Sequence, residues 1–123
     1  MPAAGLVVER SDAGSVARSF LPMGAVRSIV RTPKLEPLLA APSEIEGLGL
    51  VDGEVLLVIR VGAAHDPLLV CDWFGESIGL VGLVPLRSGV FEEASGGIMF
   101  EEELISTFDF QEVGQLLLRR GAP

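Results

Sequence analysis

The pair Asp52-Gly53 is the feature that most restricts the fold of this chain. It separates two apolar runs, Leu48 to Val51 and Glu54 to Val61. An Asp-Gly pair between two such runs predicts a β-hairpin, because both residues tolerate the positive φ of a tight turn. The second run is apolar throughout Leu56 to Ile59, so we expect a strand buried on both faces near the centre of the core.

The rest of the chain also favours strands and turns. Its 15 glycines and 8 prolines are spread along 123 residues, which leaves few windows in which a helix could run uninterrupted. We therefore expect an all-β protein. Further strands are predicted at Gly5 to Glu9, Val16 to Leu21, Arg27 to Arg31, Leu68 to Trp73, Ile78 to Leu86, Val90-Phe91, Ile98 to Phe100 and Leu104 to Phe108.

Three segments depart from this pattern. Thr32 to Pro42 is predicted to be an extended connector, because each proline disfavours helical geometry in the residue before it. Ser43 is predicted to cap one helical turn, Glu44 to Gly47, with Glu46 as its capping-box partner. A short C-terminal helix is predicted after Asp109, with apolar positions Phe110, Val113, Leu116 and Leu117, basic Arg119 and Arg120, and a stop at Gly121.

Length and charge limit the possible functions. The length fits a single domain spanning residues 1–123. A net charge of −8 without a basic cluster opposes binding to nucleic acid or to an anionic membrane surface. No apolar run reaches the length of a membrane span, and the N-terminus has no signal-peptide pattern, so we expect a cytoplasmic protein.

Residues that carry chemistry are few. The single histidine, His65, lies in a Gly/Pro loop without metal-ligand neighbours, and the single cysteine, Cys71, lies in an apolar run typical of a buried residue. The acidic stretches Glu92-Glu93 and Glu101 to Glu103 are typical of solvated turns. We therefore expect no enzyme activity, no metal and no cofactor. The pair Trp73-Phe74 allows two interpretations, core filling or an exposed anchor for a partner.

The order of motifs from Phe20 onward resembles that of CheW-like domains. That family has a Leu-Pro turn, a Val-x-x-Ile motif, a proline-spaced connector, a Gly-rich hairpin, a later strand pair and a Leu-rich end. The corresponding stretches here are Leu21-Pro22, Val26 to Ile29, Glu36 to Gly47, Gly47 to Ile59, Leu68 to Val70 with Ser77 to Val81, and Leu104 to Phe110 with the final helix.

The resemblance implies a fold and a function. The fold would be two small interleaved five-stranded β-barrels with a short C-terminal helix. The function would be that of a non-catalytic adaptor in bacterial chemotaxis. It would couple the cytoplasmic tip of a chemoreceptor to the regulatory domain of a CheA-type histidine kinase, or bind another CheW-like protein.

The resemblance also implies where the receptor binds. Its contact positions correspond here to Val26, Ser28, Ile29, Gly47, Asp52 and Gly53. The glycines, and likewise Val26 and Ile29, have a purely structural interpretation as well.

This chain departs from the family in its hairpin and in its length. The family's Asn and Arg are Leu50 and Asp52 here, and the proline of its hairpin is Leu57. An anion in place of a cation reverses the charge offered to a partner. Because the second half is also short, we expect weakened kinase binding.

Two other functions remain open from the sequence. One is a homo-oligomeric β-barrel scaffold unrelated to chemoreceptors. The other is an enzyme in which His65 and Glu101 to Glu103 meet across an interface between two chains.

Overall fold

A computed structural model describes residues 2–121 of the chain, with side chains through residue 115. Almost all of the regular structure is strand, as predicted. The elements are β1 (Pro2–Asp12), β2 (Ser15–Pro22), a 3-10 turn (Met23–Ala25), β3 (Val26–Val30), β4 (Ile45–Val51), β5 (Glu54–Arg60), β6 (Leu68–Trp73), β7 (Glu76–Val81), β8 (Val84–Ala94), β9 (Gly97–Phe100), β10 (Glu103–Ser106) and α1 (Phe110–Gly121).

The first barrel combines strands from both ends of the chain. Its five strands lie in the order β10-β9-β8-β1-β2. Beyond β10 the chain meets β2, where the N–H of Phe108 donates to the carbonyl of Phe20 at 2.8 Å. Inside lies the first-barrel core of Val7, Phe20, Phe91, Ile98, Phe100 and Ile105. This contact, an isolated bridge between Phe20 and Thr107, closes the sheet at this point.

The second five-stranded sheet, which we call the second barrel, is built from one continuous segment. Its order is β3-β6-β7-β5-β4, and the pair β5 and β7 is parallel. The connector covers the outer edge of β4, because Glu36 and Leu48 exchange two backbone hydrogen bonds of 2.9 Å. The interior is the second-barrel core of Leu56, Val58, Leu68, Val70 and Val81, with Val30, Leu35 and Val51 packed on it.

An inter-barrel core joins the two barrels. Leu6, Val8 and Leu21 from the first barrel meet Ile59, Leu69, Cys71, Ile78 and Leu80 from the second, together with Leu83, Phe108 and Val113. Alternate residues of β5 and β6 therefore face different cores. This explains the uninterrupted apolar run from Leu56 to Ile59, and the predicted burial of β5 is confirmed.

The Asp52-Gly53 hairpin forms as predicted. Val51 pairs with Glu54, and the two turn residues have φ values of 49° and 80°. Positive φ at both positions is the signature of a type I′ turn, whose twist matches that of the flanking strands.

The predicted helical turn from Glu44 to Gly47 is wrong. The β4 strand begins at Ile45, and the carbonyl of Glu44 accepts a hydrogen bond of 2.7 Å from the N–H of Arg60. The carboxylate of Glu46 accepts from Arg60 Nε at 2.5 Å instead of bonding to the backbone near Ser43. Pairing with β5, whose Arg60 lies 14 residues after Glu46, overrides the local capping pattern.

The predicted strand from Ile78 to Leu86 is divided in two. The β7 strand ends at Val81, and Gly82, with a φ of +111°, turns the chain out of the second barrel into β8. Val90-Phe91, predicted as a separate extension, lies within β8.

The C-terminal helix is capped as predicted, because the N–H of Gln111 donates to Asp109 Oδ1 at 2.9 Å. The side chains of Leu116, Leu117, Arg119 and Arg120, for which we predicted roles, lie outside the described residues.

We expect Asp109→Ala to lower the free energy of unfolding by about 1 kcal/mol, and Asp109→Asn to preserve most of it. Urea titration followed by circular dichroism measures both, and equal losses would contradict a capping role.

Candidate functional site

The predicted contact residues lie on two separate segments, β3 and the β4–β5 hairpin. In β3 the burial alternates, so Val26 packs against the inter-barrel core while Ile29 is 46% exposed. Ser28 lies between them, half-buried and paired with Val70. Of the three β3 residues, Ile29 is the one whose side chain is most available to a partner.

The two segments meet at the open end of the second barrel, which we call the mouth. It is a shallow depression of about 230 Å³ with Leu56, Val70 and Val51 from the barrel interior among its lining residues. Its polar lining residues are Arg27, Ser28, Asp52, Glu54 and Ser77. The fold thus brings Ser28 together with Asp52, and Gly53 is exposed in the turn beside Asp52.

Gly47 is buried, and it is not among the residues that line the mouth. Its φ is +139°, and a Cβ added there would lie 2.3 Å from the carbonyl oxygen of Glu36. The close approach of the connector therefore requires glycine at this position, whatever the surface binds.

Among the described residues, Arg27 is the one cation that lines the mouth, and it is paired within the chain. Its guanidinium contacts Asp72 Oδ1 at 2.5 Å, donates to the Gly75 carbonyl at 3.4 Å and also hydrogen-bonds to Ser77 Oγ. These contacts hold β3 against the β6–β7 hairpin. Because Asp72 neutralises Arg27, the remaining charges that line the mouth are those of Asp52 and Glu54. Local sequence patterns give no sign of this pair, since its partners are 45 residues apart.

The two residues of the Trp73-Phe74 pair have different environments. Trp73 packs against the inter-barrel core, and a Cβ added at Gly114 of α1 would lie 3.4 Å from its ring. Phe74 is 78% exposed in the β6–β7 turn, with its ring centroid 5.3 Å from that of Trp73. The core interpretation fits Trp73, and the exposed-anchor interpretation fits Phe74.

A larger cleft of about 790 Å³ lies between the β1–β2 hairpin, the end of β5 and α1. Its charged lining residues are Arg10, Asp12, Glu44, Arg60 and Glu112. Arg60 is held in place, because it donates to Glu46 and to the carbonyls of Gly62 and Ala63, and it contacts His65 Nδ1. Among the described residues, no cluster of His, Cys, Asp and Glu could hold a metal ion.

The thiol of Cys71 lies in the inter-barrel core. Burial raises the pKa of this thiol to about 12. Because the unfolded chain releases the proton at lower pH, this residue lowers the stability of the fold as the pH rises above the ordinary value of 9.0. The thiol is therefore poorly suited to nucleophilic chemistry near neutral pH.

We expect a disulfide-exchange reagent at pH 8 to react with Cys71 in the folded protein on the order of a hundredfold more slowly than in the urea-unfolded chain. The absorbance of the released thiol gives both rates directly. Equal rates would show that the thiol is accessible in the folded protein.

Two interleaved five-stranded β-sheets with one terminal helix define the class of CheW-like folds, as the resemblance implied. One solved structure with this fold is scaffolding protein TtCheW from Thermoanaerobacter tengcongensis. It superposes with a TM-score of 0.58 over 87% of this chain and 91% of that chain, at 18% sequence identity. The shared feature is therefore the fold.

The sequence itself matches no protein-family model and no curated protein. In the part of the chain that the structure describes, no helix is long and apolar enough to cross a membrane.

Proposed function

We propose that this protein is a non-catalytic, cytoplasmic adaptor that couples the tip of a chemoreceptor to a histidine kinase in a bacterial chemosensory pathway. The observation that carries the proposal is the combination of the ordered motifs with the fold. The segments with the family's receptor motifs, β3 and the β4–β5 hairpin, lie at the same mouth although the connector separates them in sequence.

The receptor contact in this proposal uses the exposed residues of β3 and of the hairpin turn. Asp52 lines the mouth with Gly53 exposed beside it, whereas Ile29 is exposed on the opposite face of β3 from Ser28, outside the lining of the mouth. Val26 and Gly47 support the surface from within. The fixed pair Arg27–Asp72 keeps β3 and the β6–β7 hairpin in place. A rigid surface loses little conformational entropy when a partner binds.

Binding to the kinase is proposed to be weakened. Asp52 occupies the position of the family's arginine, and it is exposed at the mouth. A carboxylate there reverses the charge offered to a receptor or a kinase alike. The feature that concerns the kinase in particular is the short segment from Glu92 to Ile98, where the family has a longer one.

Receptor capture tests the proposal directly. Tagged wild-type protein should retain a chemoreceptor, identified by mass spectrometry, from detergent-solubilised membranes of the source cell. Ile29→Asp should abolish retention, because it places a charge on an apolar contact. Val90→Asp is the matched control, since Val90 is 67% exposed on the first barrel, and it should retain the receptor. Wild type that captures no chemoreceptor would overturn the proposal.

Kinase binding needs its own measurement. Titration of the cognate kinase regulatory domain should give a Kd weaker than about 10 μM, and Asp52→Arg should tighten it. Low-micromolar or tighter binding by wild type would show that the kinase contact is retained in full.

A further inference from the structure

The strand β3 has one residue more than the stretch of β6 with which it pairs. Val26 lies opposite Cys71. Two residues later Ser28 lies opposite Val70, so the register has moved by one residue at Arg27. An extra residue of this kind is a β-bulge, and Arg27 is the residue that has no partner in the ladder between β3 and β6.

The bulge sends the two ends of β3 into different cores. In a regular strand, Val26, Ser28 and Val30 would all lie on one face of the sheet. Here Val26 packs against the inter-barrel core, whereas Val30 packs on the second-barrel core. Ile29 lies opposite Leu69 and is 46% exposed. The bulge therefore decides which side chains of β3 face outward.

A second register, without the bulge, would suit the apolar residues of β3 equally well. If pairing continued regularly from Val26, Ile29 would lie opposite Leu68, a residue of the second-barrel core. Ile29 would then be buried in place of Val30, and the larger side chain buries more apolar surface. The hydrophobic effect alone therefore does not select the register that the structure has.

Arg27 opposes the second register in two ways. In the bulge its guanidinium hydrogen-bonds to Asp72, Ser77 and the Gly75 carbonyl. Asp72 and Ser77 are cross-strand partners, so one side chain of β3 binds both strands of the β6–β7 hairpin. Regular pairing would place Arg27 opposite Val70, on the face of the second-barrel core. That register would move the charge toward an apolar interior, at a cost in free energy.

We propose that Arg27 is a positioning residue, whose contacts at the mouth fix the bulge and so keep Ile29 on the outside of β3. A register change of one residue exchanges the two faces of a strand. Loss of Arg27 would therefore remove Ile29 from the surface without any substitution at Ile29 itself. The inference rests on the proposed adaptor function only where it treats Ile29 as a receptor contact.

Cross-strand nuclear Overhauser effects measure this register directly. In wild type they should connect Ile29 with Leu69, as in the structure. In Arg27→Leu, whose apolar side chain can face the second-barrel core, Ile29 should instead be connected with Leu68. Arg27→Ala should show the same shift of one residue, and it serves if leucine prevents folding. Wild-type connections in either folded variant would overturn the inference.

Two further variants separate register from stability. Arg18→Ala also removes an ion-paired arginine, since Arg18 contacts Glu101 at 3.3 Å in the first barrel, and it should leave the connections of β3 unchanged. Arg27→Glu combined with Asp72→Arg reverses the ion pair and keeps a charge at the bulge, so this double variant should have the wild-type register. A shifted register in Arg18→Ala or in the double variant would also overturn the inference.

Receptor capture distinguishes this inference from the proposed function. Arg27→Leu should lose the chemoreceptor that wild type retains, because Ile29 is no longer exposed. If the register shifts and the chemoreceptor is still retained, Arg27 fixes the bulge, but its role in the receptor contact is overturned. If wild type retains no chemoreceptor, the adaptor function fails, and the nuclear Overhauser effects still decide whether Arg27 fixes the register.

Discussion

Replacing Gly82 with alanine should lower the free energy of unfolding by about 3–5 kcal/mol. A Cβ at this position would lie 2.2 Å from the backbone nitrogen of Gly62 and 2.5 Å from its Cα. Backbone atoms cannot rotate away as a flexible side chain can. The φ of +111° adds strain for any residue with a side chain.

The matched control is Gly96→Ala in the β8–β9 turn. Its φ is +81°, but nothing lies within 4 Å of the added Cβ. Gly96→Ala should therefore lower the free energy of unfolding by about 1–2 kcal/mol, which is the cost of the backbone strain alone. Urea unfolding followed by circular dichroism gives both values. If the two variants lose equal stability, the close approach of Gly82 to Gly62 at the ends of β5 and β7 adds nothing to the cost of backbone strain.

Truncating Leu80 to alanine should lower the free energy of unfolding by about 2–5 kcal/mol, because its side chain is fully buried in the inter-barrel core. We also expect both barrels to unfold in one transition, as a single domain, since this core contains residues of each. The fluorescence of Trp73 reports on the second barrel next to α1, and far-ultraviolet circular dichroism reports on all strands.

The two signals should share one urea midpoint in wild type and in Leu80→Ala. Val90→Ala, at a position 67% exposed, should change stability by less than about 0.5 kcal/mol. Separate midpoints for the two signals would show that the barrels unfold independently, and the proposal of one cooperative domain would fail.

The parts of the fold that depend on neighbouring residues could be predicted from the sequence. The Asp52-Gly53 turn and the Asp109 cap each involve residues a few positions apart. The strands next to them follow from their apolar runs. The resemblance to CheW-like domains predicted the interleaved arrangement, which periodicity alone could not provide.

The parts that depend on distant contacts could not be predicted in this way. The turn predicted after Ser43 satisfies a local rule, but Glu46 instead bonds to Arg60 on the neighbouring strand. The end of β7 depends on Gly82 meeting Gly62, which lies just beyond the end of the neighbouring strand β5. At the mouth, pairing of Arg27 with Asp72 decides which charges remain exposed. No local spacing encodes these contacts.

The interleaved order of strands has a consequence for synthesis on the ribosome. All strands of the second barrel lie between Val26 and Val81, whereas β1 and β2 need β8 to β10 to complete the first barrel. Chains emerge from the N-terminus and fold in units as these become complete. The second barrel can thus form early in translation, and the N-terminal hairpin must wait, with its apolar face uncovered, for the last third of the chain.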